Sequence, residues 1–218
     1  MRVPSSGGQC GTAAPSREAD WVAGFADREV REMAVEHAVI VLMRAVNVGG
    51  NNKLPMARLR EVISAAGLTD VRTYIQSGNV VCRSRWKPAK VAELVTSVIE
   101  TEFGLQVPAV ALSHSELAQA IAQWPVPHGA LPKTLHCIVL EKSLNSQQVA
   151  LIEAQVGASQ STGSEDFAEA IDRFIYLYTP DGIGNSKLAR QLSTAKIGGT
   201  ARNWNTANTL LEMASGRE

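Results

Sequence analysis

The spacing of apolar positions changes several times along the chain, and each change marks an element. Ala38 to Val46 is a near-continuous apolar run, the pattern of a central strand covered on both faces. Pro55 opens a helix at its first turn. Met56, Leu59, Val62, Ile63 and Ala66 mark the buried face, and Gly67 is the stop. Val71 to Gln76 alternates as a half-buried strand does. Ser77-Gly78 then reads as a tight reversal into a strand from Asn79 to Arg83. Pro88 opens a second helix, with Val91, Leu94, Val95, Val98 and Phe103 inward and Gly104 as its end. Val107 to Leu112 is a fourth strand.

The order βαββαβ is the split unit of a ferredoxin-like fold. With right-handed crossovers and strand order 4-1-3-2, strands 1 and 2 finish at the same edge of the sheet. The loop after strand 1 should therefore lie beside the turn after strand 2.

The second half is a weaker echo. Ser113-x-x-Glu116 is a capping box for a helix through Leu117 and Ile121. Trp124 to Pro132 is a proline-rich joint, and Leu135 to Leu140 a strand. Asn145-x-x-Gln148 caps a helix that Gly157 should end, with a polar loop from Ala158 to Glu165. Phe167 to Ile171 and Phe174 to Thr179 read as paired strands, and Pro180-Asp181-Gly182 as a turn. Helices start near Ser186 and near Asn203. No final strand is evident. The predicted fold is α+β, with two ferredoxin-like halves, the second incomplete or variant, and a C-terminal helix. The expected division is an extension over 1–35, a first half over 36–113, a helix and linker over 114–132, and a second half over 133–218.

The extension breaks the pattern. Its first 16 residues are small and polar, the composition of a disordered segment. Arg17 to Glu32 could form only a weak helix, with Trp21 and Phe25 on one face. The compact pattern begins just after Met33, which one reading makes the true start of translation.

Composition narrows the class. Of 218 residues, 45% are hydrophobic and 19% charged, as in an ordinary globular protein. Twenty-one basic and 21 acidic residues cancel, which argues against a positive coat for duplex nucleic acid. No apolar run approaches the ~20 residues that span a bilayer, so no membrane partner is expected. Cys10, Cys82 and Cys137 are scattered and odd in number, as reduced cytosolic thiols are. A cytoplasmic location is the expectation.

The polar chemistry gathers in four stretches. Arg44 to Lys53 ends strand 1 in a loop rich in glycine and asparagine. Gly49 and Gly50 permit a tight turn and close approach to a ligand, and Arg44, Asn47, Asn52 and Lys53 bring donors. The predicted topology sets these beside Gln76, Ser77 and Asn79. Gly184 to Leu188 enters a helix, where Ser186, Lys187 and free N–H groups favour an anion. It lacks the spacing of a phosphate-binding Walker loop, and ordinary capping explains it equally well. Gly198 to Thr206 opens another helix with Thr200, Arg202, Asn203 and Asn205; an arginine fork suits phosphate or carboxylate. Trp204 shares a buried stripe with Ala207, Leu211 and Ala214.

Catalytic groups are scarce. His37, His114, His128 and His136 lack metal-ligand spacing, and no metal is expected. His128 alone sits in a plausible catalytic loop. Cys82 and Cys137 read as small core residues. The nearest acid to the donor-rich stretches is Asp181, itself a turn residue. A site rich in donors and poor in bases looks built to hold an anion rather than to move a proton.

The stretches R-A-V-N-V-G-G-N-N-K-L-P-M, T-Y-I-Q-S-G-N-V-V, G-N-S-K-L and T-A-R-N-W-N-T closely resemble the bacterial domain of unknown function 1697 family. The similarity runs from about Ala38 to Ala214, with four motifs in order. The resemblance implies an α+β fold of two ferredoxin-like halves and no established activity or cofactor. Where the family pattern has glycine after the arginine, this chain has Ala45. Three functions follow as expectations. The first is binding of a phosphorylated or otherwise anionic small molecule, with a nucleotide-like one included. The second is an enzyme acting on such a ligand. The third, less favoured, is a single-stranded nucleic-acid binder.

Overall fold

Two four-stranded antiparallel sheets form the frame of the protein. The computed structural model describes residues 35–47, 53–194 and 197–216. The expectations for the first 33 residues, and for Gly49, Gly50 and Asn52, lie outside the described residues.

The first half runs β1 (His37–Met43), α1 (Met56–Ala65), β2 (Thr69–Tyr74), β3 (Asn79–Ser84), α2 (Pro88–Phe103) and β4 (Ala109–Ser113). Its strand order is β2-β3-β1-β4. β1 is central because its side chains are buried on both faces. Val39, Val41 and Met43 meet α1 and α2, while Ile40 and Leu42 point into the body of the molecule. Helix ends follow local chemistry. Pro55 precedes α1, and Gly104, at φ 66°, ends α2 in the left-handed region that glycine enters without strain.

The link is α3 (His114–Ala122), whose capping box between Ser113 and Glu116 is formed in full. A 3₁₀ turn at Pro132–Thr134 leads into the second half. There, β5 (Leu135–Val139), α4 (Ser146–Gln160), β6 (Phe167–Ile171), β7 (Phe174–Tyr178), α5 (Lys187–Thr194) and β8 (Thr200–Asn203) repeat the first series, and α6 (Trp204–Ala214) follows. The strand order β6-β7-β5-β8 repeats the first sheet's connectivity.

Two expectations are corrected here. The second half does have a final strand: Thr200–Asn203 pairs antiparallel with β5 and closes the unit. Helix α4 does not stop at Gly157 but continues to Gln160. A lone glycine costs a helix about 1 kcal/mol, which packing can outweigh. Here Ile152 and Val156 pack against the second sheet.

The elements stack in layers. α1 and α2 cover one face of the first sheet, and α4 and α5 cover the far face of the second. Between the sheets, Leu117 and Ala120 of α3 and Ala207, Leu210 and Ala214 of α6 share one core with Ile40, Leu42, Cys137, Val139 and Tyr176. Trp124 lies 5.3 Å from the Tyr176 ring and 4.9 Å, edge-on, from Trp204. Trp204 thus packs in the core, as its stripe predicted. The halves share apolar surface, and this brings the end of β1 against β8.

Candidate functional site

Asn47 organises the first motif. Its side-chain amide donates to the Leu54 carbonyl at 3.1 Å and accepts from the Leu54 N–H at 2.9 Å, closing the loop after β1 on itself. The same amide donates to the Gln76 carbonyl at 2.9 Å. The loop after β1 and the turn after β2 are therefore neighbours, as the split βαβ order requires. Met43 N–H donates to the Gly78 carbonyl at 2.8 Å and seals the join.

The turn carries marked backbone geometry. Gly78 has φ 81°, and a Cβ there would lie 2.9 Å from the Met43 Cβ, so both conformation and space require glycine. Ala45 (φ 54°) and Ile75 (φ 48°) occupy the left-handed region without being glycine. Asn79 is fully buried and donates to the Tyr74 carbonyl at 3.1 Å and the Ser77 hydroxyl at 3.2 Å.

Into this turn reaches Arg202 from β8. Its Nε donates to the Asn79 Oδ1. Nη1 donates to the Thr200 hydroxyl at 2.7 Å and the Ala201 carbonyl at 2.8 Å. Nη2 donates to the Met43 carbonyl at 2.8 Å and to the Ser77 and Gly78 carbonyls at 3.2 Å each. Every nitrogen of the guanidinium is engaged, and every acceptor is neutral. No carboxylate pairs with it among the described residues, and burial pulls its pKa down to about 10. Arg202 is a clamp between halves and an uncompensated positive charge.

A cleft of about 480 Å³ opens beside this clamp. Arg44, Ser77, Thr200, Arg202 and Asn203 line it, so three of the four motifs meet there. The Arg44 side chain is exposed and makes no hydrogen bond or ion pair with a described residue. Thr200 is buried and donates to the Met43 carbonyl at 3.3 Å. Asn203 caps α6 by accepting from Thr206 N–H at 2.8 Å. Gly199 has φ 84°, and a Cβ there would stand 2.7 Å from the Val139 carbonyl oxygen. Asn47, Gln76 and Asn79 shape the turn behind the cleft without lining it, and Lys53 and Asn205 are exposed away from its wall.

The fourth motif lies elsewhere. Ser186 caps α5, accepting from Ala189 N–H at 2.9 Å, and donates to the Asp166 carboxylate at 2.7 Å. Asp166 is buried. It supplies from within the chain the negative charge that this helix start favours. Lys187 is exposed beside a separate depression of about 340 Å³ that also holds Asp181. Ser186 and Lys187 thus lie apart from the cleft that the other three motifs share.

The cleft also holds a residue the sequence did not single out. His136 of β5 lies opposite Asn203 in the ladder and lines the same wall. Burial lowers its pKa, so the imidazole is neutral at pH 7. Recognising β8 was the step that would have found it. His128 is exposed in the linker. Burial raises the Cys82 thiol to about 12 and raises Cys137 as well, so neither is a ready nucleophile.

Two βαββαβ units with a donor-bearing cleft beside their junction define an α+β protein of duplicated connectivity. The family model described as Protein of unknown function (DUF1697) matches residues 37–169, and the chain belongs to that family. Among solved structures, it is similar to the conserved bacterial protein SP0830 from Streptococcus pneumoniae, with 19% sequence identity and a TM-score of 0.64. That likeness covers 83% of this chain and 99% of the other, and it is one of fold. No curated protein matches the chain. No helix among the described residues is long and apolar enough to cross a membrane.

Proposed function

We propose that the protein binds a small anionic molecule, in the cytoplasm, in the cleft between the end of β1 and β8. The observation that carries this is the charge balance of the cleft. Arg202 is a positive charge hydrogen-bonded only to neutral groups, and Arg44 stands beside it without a carboxylate partner among the described residues. A charge withdrawn from water is costly unless it is paired. An anion entering the cleft relieves that cost and meets Arg44 with its donors free.

Other features weigh between the competing readings. The enzyme reading draws support from His136, a neutral imidazole on the cleft wall and thus a candidate base at pH 7. The nucleic-acid reading loses its usual platform. Both faces of both sheets carry buried cores, leaving no open sheet face among the described residues for bases to stack on.

A thermal-shift panel of inorganic phosphate, sugar phosphates, nucleotides and carboxylates tests the proposal on wild type and Arg44→Ala. A ligand at ~100 times its dissociation constant adds about 2.7 kcal/mol of stability. Arg44→Ala should weaken that ligand by roughly 1.5–3 kcal/mol, the range for a charged hydrogen bond, while the unliganded protein melts as before. A panel in which no anion shifts the melting curve contradicts the proposal.

A further inference from the structure

The cleft is not lined as a bare phosphate site would be. Beside its cations stand the half-buried Ile183 and Ile197, backed by Ile138, Ile175 and Leu192 of the second half's core. The Arg202 nitrogens are already taken, and the Thr200 hydroxyl is spent on the Met43 carbonyl. Arg44 is the guanidinium at this cleft whose N–H groups remain open among the described residues. A phosphate dianion needs several donors, whereas a carboxylate can be held by one planar fork.

Ile75 gives a second and independent pointer. It lines the cleft, is 53% exposed, and sits at φ 48°. A β-branched residue in the left-handed region is a steric outlier. Such strain costs of order 1–3 kcal/mol and is characteristic of ligand clamps and active sites. A half-exposed isoleucine returns little of that cost in the free protein, since its apolar surface stays in water. An apolar group docking on it would recover the burial.

We infer that the ligand is an amphipathic monocarboxylate, with its apolar body against Ile183, Ile197 and Ile75 and its carboxylate at Arg44. The inference rests on the anion-binding proposal and narrows its class away from sugar phosphates and nucleotides. The neutral His136 fits this arrangement, since it adds no further charge for a polyanion to use.

The test is calorimetric titration and thermal shift of the full chain with octanoate, butyrate, octanamide and inorganic phosphate. Each methylene that becomes buried should tighten binding about fourfold, so octanoate should bind well over tenfold more tightly than butyrate. Octanamide, which has the body without the charge, should bind at least tenfold more weakly than octanoate. Arg44→Ala should lose at least tenfold for octanoate. Ile75→Asn replaces a strained residue with one that tolerates left-handed backbone. It should melt no lower than wild type and still bind octanoate several-fold more weakly.

If phosphate binds as well as octanoate, or affinity ignores chain length, the cleft takes an anion without an apolar body and this inference falls alone. If octanamide matches octanoate, or no anion of this set or of the wider panel binds, the anion-binding proposal falls with it.

Discussion

Ala45 shows how one residue can carry a cost that its neighbours tolerate. Its φ of 54° places it in left-handed backbone, where a Cβ costs roughly 1–2 kcal/mol. Ala45→Gly removes that cost but adds freedom to the unfolded chain. The net expectation is a gain of about 0.5–1 kcal/mol, read from urea unfolding; a loss of stability would show that the methyl group matters more than the backbone. His136 makes a pH prediction. Its folded pKa lies below the ordinary 6.5, so below pH 6.5 the unfolded chain binds more protons than the folded one. Stability from this group is intact above pH 6.5 and erodes as pH falls toward the folded value. His136→Gln should therefore lose less stability than wild type between pH 7.5 and 5.5, in paired denaturant titrations. Equal losses would mean that His136 is as free to protonate in the folded state as in the unfolded chain.

Elements were legible wherever the apolar period was long. β1, α1, α2 and α4 announced themselves through runs, proline starts and caps, because those signals are local. β8 did not. It has only four residues, is preceded by two glycines, and ends in Asn203, which doubles as the cap of α6. Only Thr200 among its residues is buried. What makes it a strand is pairing with β5, a tertiary fact that propensity does not carry. The same gap hid the clamp: as part of a loop, Arg202 read as a ligand-binding fork, and as part of β8 it reaches the β2–β3 turn. Arg202→Ala should destabilise the fold by about 3 kcal/mol or more, since it leaves several carbonyls and the Asn79 side chain without their donor. Chemical denaturation measures this, and a change below about 0.5 kcal/mol, the range of an ordinary surface substitution, would refute the clamp. The Gly184–Leu188 motif was equally ambiguous from sequence. Asp166, 20 residues before Ser186, answers the helix start, and no local pattern reveals that partner.

At the scale of the molecule, the two halves share one core and are tied by arginines at both joins. Arg202 binds the first half's turn. Arg173, at the β6–β7 turn, donates to the Ala111 carbonyl at 3.0 Å and to Glu116 at 2.9 Å. The first join leaves its positive charge uncompensated beside a cleft, whereas the second pairs Arg173 with a carboxylate. That asymmetry between similar connections is the charge imbalance on which the anion-binding proposal rests, and it is invisible in net charge. The most direct test of an anion site in the cleft is an amide chemical-shift titration of isotope-labelled protein with octanoate. Saturating shifts should gather at Arg44, Ser77, Gly198, Gly199 and Thr200, and Ser186 and Lys187 should stay still. Shifts centred on Ser186 and Lys187, or scattered without saturation, would contradict the account.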